Sequence, residues 1–149
     1  MGVLEGPHPR AVILLDTSVL IYASTPRSPF LRWARDVIAE GVSGDGAATS
    51  VVSIAEICVG DAEPETVADR IRSWGVAVLD VPAVAAEPCA RAYGEYRERR
   101  RSGSDRDAPV SPLPDFFIGA HAEIMGWPIA TADEGRFRTY FPSVVLKTP

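Results

Sequence analysis

The chain has 149 residues, of which 46% are hydrophobic and 23% charged, and its net charge is −5. Those values describe one ordinary globular domain with enough chain to bury a core. The acidic balance excludes a molecule that attracts nucleic acid by its overall charge, so any polyanion must meet a local basic patch or bound metal ions.

The first nine residues hold Gly2, Gly6, Pro7 and Pro9 and no apolar run of the signal-peptide type. Residues 1–10 read as a mobile tail ahead of one domain over 11–149. Ala11 to Leu15 is an uninterrupted apolar run, as expected of a strand buried on both faces in a parallel sheet. It stops on Asp16, and Thr17-Ser18 opens a short helix to Ala23. Such a carboxylate either caps the next helix or stands where open α/β sheets bind ligands, outside the carboxyl ends of their strands.

Ser28 and Pro29 predict the start of a second helix running to Glu40, with Phe30, Leu31, Ala34, Val37 and Ile38 on one face. Gly41, Gly44 and Gly46 read as a flexible loop, since neither phosphate-binding glycine pattern is present. Ala47-Ala48-Thr49 is a second strand. The helix after it, Ser50 to Gly60, is apolar on nearly every side and is expected to be buried. Glu56 is its anomaly, because an ionised carboxylate in apolar surroundings needs a compensating cation. A capping box with Ser53 as its N-cap explains the same spacing without chemistry.

Pro64 to Trp74 is a further helix, ended by Gly75, and Val76 to Leu79 a third strand. A long helix follows from Ala83 to about Arg101, kinked or split at Pro88. Its end carries Arg97, Arg99, Arg100 and Arg101. Cations suit a helix C-terminus, and the same run could form a patch for nucleic acid or an acidic partner. Cys58 and Cys89 fall in these helical stretches and read as reduced thiols of a cytosolic protein. No apolar run reaches the roughly 20 residues of a membrane span.

The segment from Ser102 to Leu113 is a polar, proline-bearing loop. Pro114 to Ala122 opens another helix with Asp115 in its first turn. Asp115, Gly119 and Ala122 share a face there, which predicts room beside the carboxylate. His121 reads as a core histidine. A fourth strand, Trp127 to Ala130, ends on Thr131-Ala132-Asp133 and so repeats the opening pattern of apolar run, hydroxyl and Asp. Glu134 to Tyr140 is a short helix with Arg136 and Arg138, and Val144 to Leu146 an edge strand.

Alternating strands and helices predict a mainly parallel sheet with helices on both faces. Asp16, Glu56, Asp115 and Asp133 then reach one rim from four segments. Crowded carboxylates call for a cation. Oxygen ligands without Cys or His favour Mg²⁺ or Mn²⁺ over zinc. Such a cluster suits metal-assisted phosphodiester hydrolysis.

At this point the chain resembles the PIN-domain family, and within it the VapC-type toxins of bacterial toxin–antitoxin pairs. The resemblance rests on Leu14-Leu15-Asp16-Thr17-Ser18-Val19-Leu20-Ile21, on Ser53-Ile54-Ala55-Glu56-Ile57, on Pro114 to Ala122 and on Thr131-Ala132-Asp133-Glu134-Gly135-Arg136-Phe137. It implies a three-layer α/β/α sandwich around a five-stranded parallel sheet. It also implies that Asp16, Glu56, Asp115 and Asp133 form the catalytic, metal-binding set, with Ser18 and Thr131 as supporting hydroxyls. The implied activity is that of a cytoplasmic Mg²⁺- or Mn²⁺-dependent endoribonuclease, often a homodimer held inactive by an antitoxin protein. Arg97, Arg100, Arg101, Arg136 and Arg138 are the candidate RNA contacts. The rivals are a nuclease acting on DNA and a non-catalytic scaffold that binds RNA or protein. An aspartyl-nucleophile phosphatase is set aside, because its second Asp would fall at Ser18.

Overall fold

The computed structural model describes residues 11–102 and 113–149. The tail expected over 1–10 and most of the loop expected over 102–113 lie outside them. Five parallel strands form one sheet: β1 (Ile13–Leu15), β2 (Ala47–Ser50), β3 (Ala77–Leu79), β4 (Ile129–Ala130) and β5 (Leu146–Lys147), in the spatial order β3-β2-β1-β4-β5. The first strand is central. Leu14 stands opposite Ala48 on one side and Ile129 on the other.

The strands are short, and the sheet is a thin layer between two apolar clusters. Side chains alternate across a strand, so Ile13 and Leu15 enter one cluster and Leu14 the other. The first cluster takes Val19, Leu20, Ala34, Val37, Ile38, Ile54, Val67 and Ile71. These come from α1 (Thr17–Ala23), α2 (Leu31–Ser43), α3 (Val51–Gly60) and α4 (Val67–Ser73). The second takes Cys89, Tyr93, Tyr96, Phe116, Ile118, Phe137 and Phe141. These belong to α5 (Ala86–Ser102), α6 (Pro114–Met125) and α7 (Gly135–Tyr140), with Phe141 just beyond. The result is a three-layer α/β/α sandwich, as the sequence predicts. Cys58 and Cys89 pack on opposite sides of the sheet and are both free thiols. Among the described residues, no helix is long and apolar enough to cross a membrane.

Several local expectations are corrected. The second helix starts at Leu31 rather than at Pro29. The Ser28 hydroxyl accepts the Phe30 N–H at 3.1 Å, closing a turn instead of capping a helix. At its other end α2 runs on through Gly41, which is buried and pressed against Ala47. Gly41 therefore belongs to a helix packed on the sheet, and no side chain fits there. Pro88 does not split α5. It is the third residue of that helix, where an N–H has no intrahelical partner to lose.

The largest correction concerns α3. Only Ser53 and Ile54 of this apolar helix are buried, whereas Val59 is 90% exposed and Val51 43%. Its N-cap is Ser50, whose hydroxyl accepts the Val52 N–H at 3.1 Å. The capping box on Ser53 therefore does not form, and Glu56 is an exposed residue that needs no buried counter-charge. An apolar composition sets how much surface a helix could bury, not how much its neighbours cover.

Candidate active site at the carboxyl edge of the sheet

Because all strands run the same way, their carboxyl ends share one edge. Leu15, the end of β1, pairs with Thr49 and with Ala130, so Asp16, Ser50 and Thr131 emerge side by side. The Asp16 backbone N–H donates to the Ala130 carbonyl at 3.0 Å and fixes where the carboxylate leaves the sheet.

Asp16 is 4% exposed. Its Oδ1 accepts the Thr17 N–H at 2.8 Å, so it caps α1. Its Oδ2 accepts two hydroxyls, from Thr131 at 2.8 Å and Ser18 at 3.1 Å. Those hydroxyls are held in turn. The Asp133 N–H donates to Thr131 Oγ1 at 3.0 Å, and the Ala132 N–H to Ser18 Oγ at 3.3 Å. The two sequence readings of Asp16 are thus both present, a cap on one oxygen and a polar cluster on the other.

Burial raises the Asp16 carboxyl from 3.8 to about 6. The Thr131, Ser18 and Thr17 hydrogen bonds oppose that shift, and the nearby Asp115 charge adds to it. Burial outweighs three hydrogen bonds here because a charge in a low-dielectric site loses its water. Asp115 is half-buried at the start of α6. Burial also raises its carboxyl, against the charge and hydrogen bond of Arg136 and with help from Asp133. Arg136 Nη1 lies 3.1 Å from Asp115 Oδ2.

Glu56 reaches the same edge from α3. Its Oε1 lies 2.8 Å from Thr17 Oγ1, which is also 2.9 Å from Ser53 Oγ. Thr17 has one hydroxyl hydrogen. A carboxylate is the stronger acceptor, so Thr17 donates to Glu56 and the Ser53 hydroxyl donates back to Thr17. Thr17 and Ser53 thus tie Glu56 to the residue beside Asp16, a role missing from the sequence reading. The only signal for it was a hydroxyl directly after the strand-ending Asp.

The Asp115 charge acts on Asp16 and the Asp133 charge on Asp115, and Glu56 joins them through Thr17. Among the described residues, however, no group of three or more His, Cys, Asp or Glu stands close enough to hold a metal ion. Donor chemistry nonetheless fits a hard divalent cation. Every candidate ligand is a carboxylate oxygen, and the Asp115 charge adds to what burial does to Asp16, a repulsion that a cation would relieve.

One predicted detail changes. The room expected beside Gly119 is absent, because the Phe141 ring fills it and a Cβ there would enter the ring. Arg136, one of the candidate RNA contacts, lies against Asp115. The other arginines spread out. Arg99 lies over the Tyr140 ring and Arg100 over Tyr96. Arg138 pairs with Glu134 at 2.7 Å, and Arg97 and Arg101 flank a shallow depression on α5. His121 is buried against Trp127 with Nδ1 lacking a hydrogen bond. Burial lowers its pKa, as suits a neutral core residue.

Solved structures of the same fold exist. The DNA-bound VapBC of Salmonella typhimurium superposes with a TM-score of 0.65 at 20% identity, over 92% of this chain and 97% of that one. A toxin–antitoxin complex from Klebsiella pneumoniae gives 0.61 at 20% identity, over 89% and 95%. FitAcB from Neisseria gonorrhoeae gives 0.59 at 20% identity, over 93% and 98%. No curated protein matches the chain in sequence. The model of the PIN domain matches residues 13–141. That span takes in four of the five strands and all four rim carboxylates, and the chain belongs to the PIN-domain family.

Proposed function

We propose that this protein is a Mg²⁺- or Mn²⁺-dependent endoribonuclease and the toxin of a toxin–antitoxin module. The observation that carries the reading is the pairing of a buried, hydroxyl-anchored Asp16 with Asp115 at the carboxyl edge of a PIN sheet. Asp16 and Asp115 would hold the ion, with Glu56 and Asp133 completing the set. A divalent ion bound there supplies Lewis acidity, lowering the pKa of water and offsetting phosphate charge. The chain's own groups do the rest. Thr131 and Ser18 orient Asp16. Thr17 fixes the position of Glu56. One of the four acids accepts the proton lost by the attacking water. Structural neighbours crystallised as toxin–antitoxin complexes support an antitoxin partner. A cytoplasmic location and a homodimer are part of the same proposal.

The test is cleavage of a mixed cellular RNA pool by wild type and Asp16→Asn, with Mg²⁺, Mn²⁺ or EDTA, and single-stranded DNA in parallel. Asn keeps the shape but removes the charge. Wild type with metal should cut RNA, and Asp16→Asn should lose at least about 100-fold, the order expected on removing a charge-stabilising group from an active site. Equal cutting by both proteins refutes the site. Preferential cutting of DNA moves the substrate class, and a metal-loaded, antitoxin-free protein that cuts neither is a binding scaffold.

A further inference from the structure

Arg136 brings a guanidinium to the rim carboxylate Asp115. Its guanidinium meets Asp115 through one contact, Nη1 to Oδ2 at 3.1 Å, with the two side chains 41% and 28% exposed. Its carbon Cζ lies 5.4 Å from the centre of the Tyr96 ring, a face that attracts cations. Arg100 lies at the same distance from that ring and donates to the Tyr96 hydroxyl. Arg136 therefore has a built seat, on a buried aromatic and a carboxylate. That seat is easily left, because the ion pair is single-toothed and half in water.

We infer that Arg136 is an internal counter-cation that sits on Asp115 in the metal-free protein and must swing off before a divalent ion engages Asp16 and Asp115, so that it sets the metal affinity of the site. This rests on the metal-dependent reading above. Competition for one carboxylate is reciprocal: what Arg136 gains on Asp115, the ion loses. Metal binding in turn frees a guanidinium at the mouth of the site, where a phosphate would arrive. Arg136 is then a regulator of the site in its metal-free form and a phosphate contact in its loaded form.

The experiment is Mn²⁺ binding by calorimetry at fixed ionic strength, without nucleic acid, for wild type and three variants. Arg136→Gln should bind Mn²⁺ about five-fold tighter or more, the lower range of ordinary coupling between two ligands. Arg138→Gln removes an equal charge from the same helix, but its partner is the exposed Glu134. It should change affinity less than two-fold or so, because the field of an exposed charge is largely screened. Asp115→Asn should abolish the site and so certifies which ion is counted. If Arg136→Gln binds no tighter than wild type, or Arg138→Gln tightens binding equally, the competition is refuted while the metal-dependent reading stands. If wild type binds no Mn²⁺, or Asp115→Asn binds like wild type, the metal reading itself falls and takes this inference with it.

Discussion

Asp16 stores the clearest electrostatic debt of the molecule. Its folded carboxyl titrates at about 6 against an ordinary 3.8, chiefly because it is buried. Between those values the folded protein keeps a proton that the unfolded chain has released. Stability from this group is therefore complete below pH 3.8 and is lost as pH rises through about 6. The gap corresponds to at most about 3 kcal/mol. In EDTA, wild type should lose stability to denaturant between pH 4 and pH 7 relative to Asp16→Asn. The readout is the divergence of the two curves with pH, since the amide also rearranges the hydroxyls of Ser18 and Thr131 and so shifts the offset. Asp115 is raised in the same direction, so some slope should remain in the variant. Parallel curves would mean that Asp16 ionises in the fold as it does in water.

At the scale of elements, the contact between α6 and the chain after α7 is the tightest constraint on the site. Gly119 lies one turn beyond Asp115, and a methyl group there would enter the buried Phe141 ring. Gly119→Ala should lower stability by about 1–3 kcal/mol, the usual cost of overpacking, although alanine favours helix. A melting temperature at or above wild type would show that the ring yields freely. The sequence placed Gly119 on the correct face but read its missing side chain as space for a ligand. Absence of a side chain marks close approach, and only the fold says by what. The same holds for α3, whose apolar length says nothing of which neighbours cover it. What was legible is local and repeated: five apolar runs, a hydroxyl and an Asp after β1 and again after β4, and Pro114 and Gly126 bounding α6. Gly126 adopts the left-handed conformation, φ +67°, that ends a helix. The Thr17–Glu56 and Arg136–Asp115 contacts were not legible, because parallel topology says which segments share an edge and not which side chains touch there. Rotamers and local packing decide such meetings.

For the molecule as a whole, the question is how a chain of net charge −5 would meet the polyanion that the proposed function requires. Four of its arginines fall into two pairs. Arg100 and Arg136 are seated on Tyr96, and Arg136 also on Asp115, so both are structural until something displaces them. Arg97 and Arg101 lie one turn apart on α5, on either side of a shallow depression that also includes Gly94 and Glu98. A phosphate backbone following that helix would meet those two first. Each phosphate neutralised on a single strand releases about 0.7 of a counterion. The double variant Arg97→Gln, Arg101→Gln should therefore weaken binding of catalytically inactive protein to single-stranded RNA. It should also flatten the plot of log K against log salt by about 1.4 if both arginines touch phosphate. The loss should be similar across RNA sequences, since such contacts carry no base information. An unchanged slope would remove α5 from the path of the nucleic acid. Binding would then have to rest on the rim, through the divalent ion and the displaced Arg136 guanidinium that the proposals above place there.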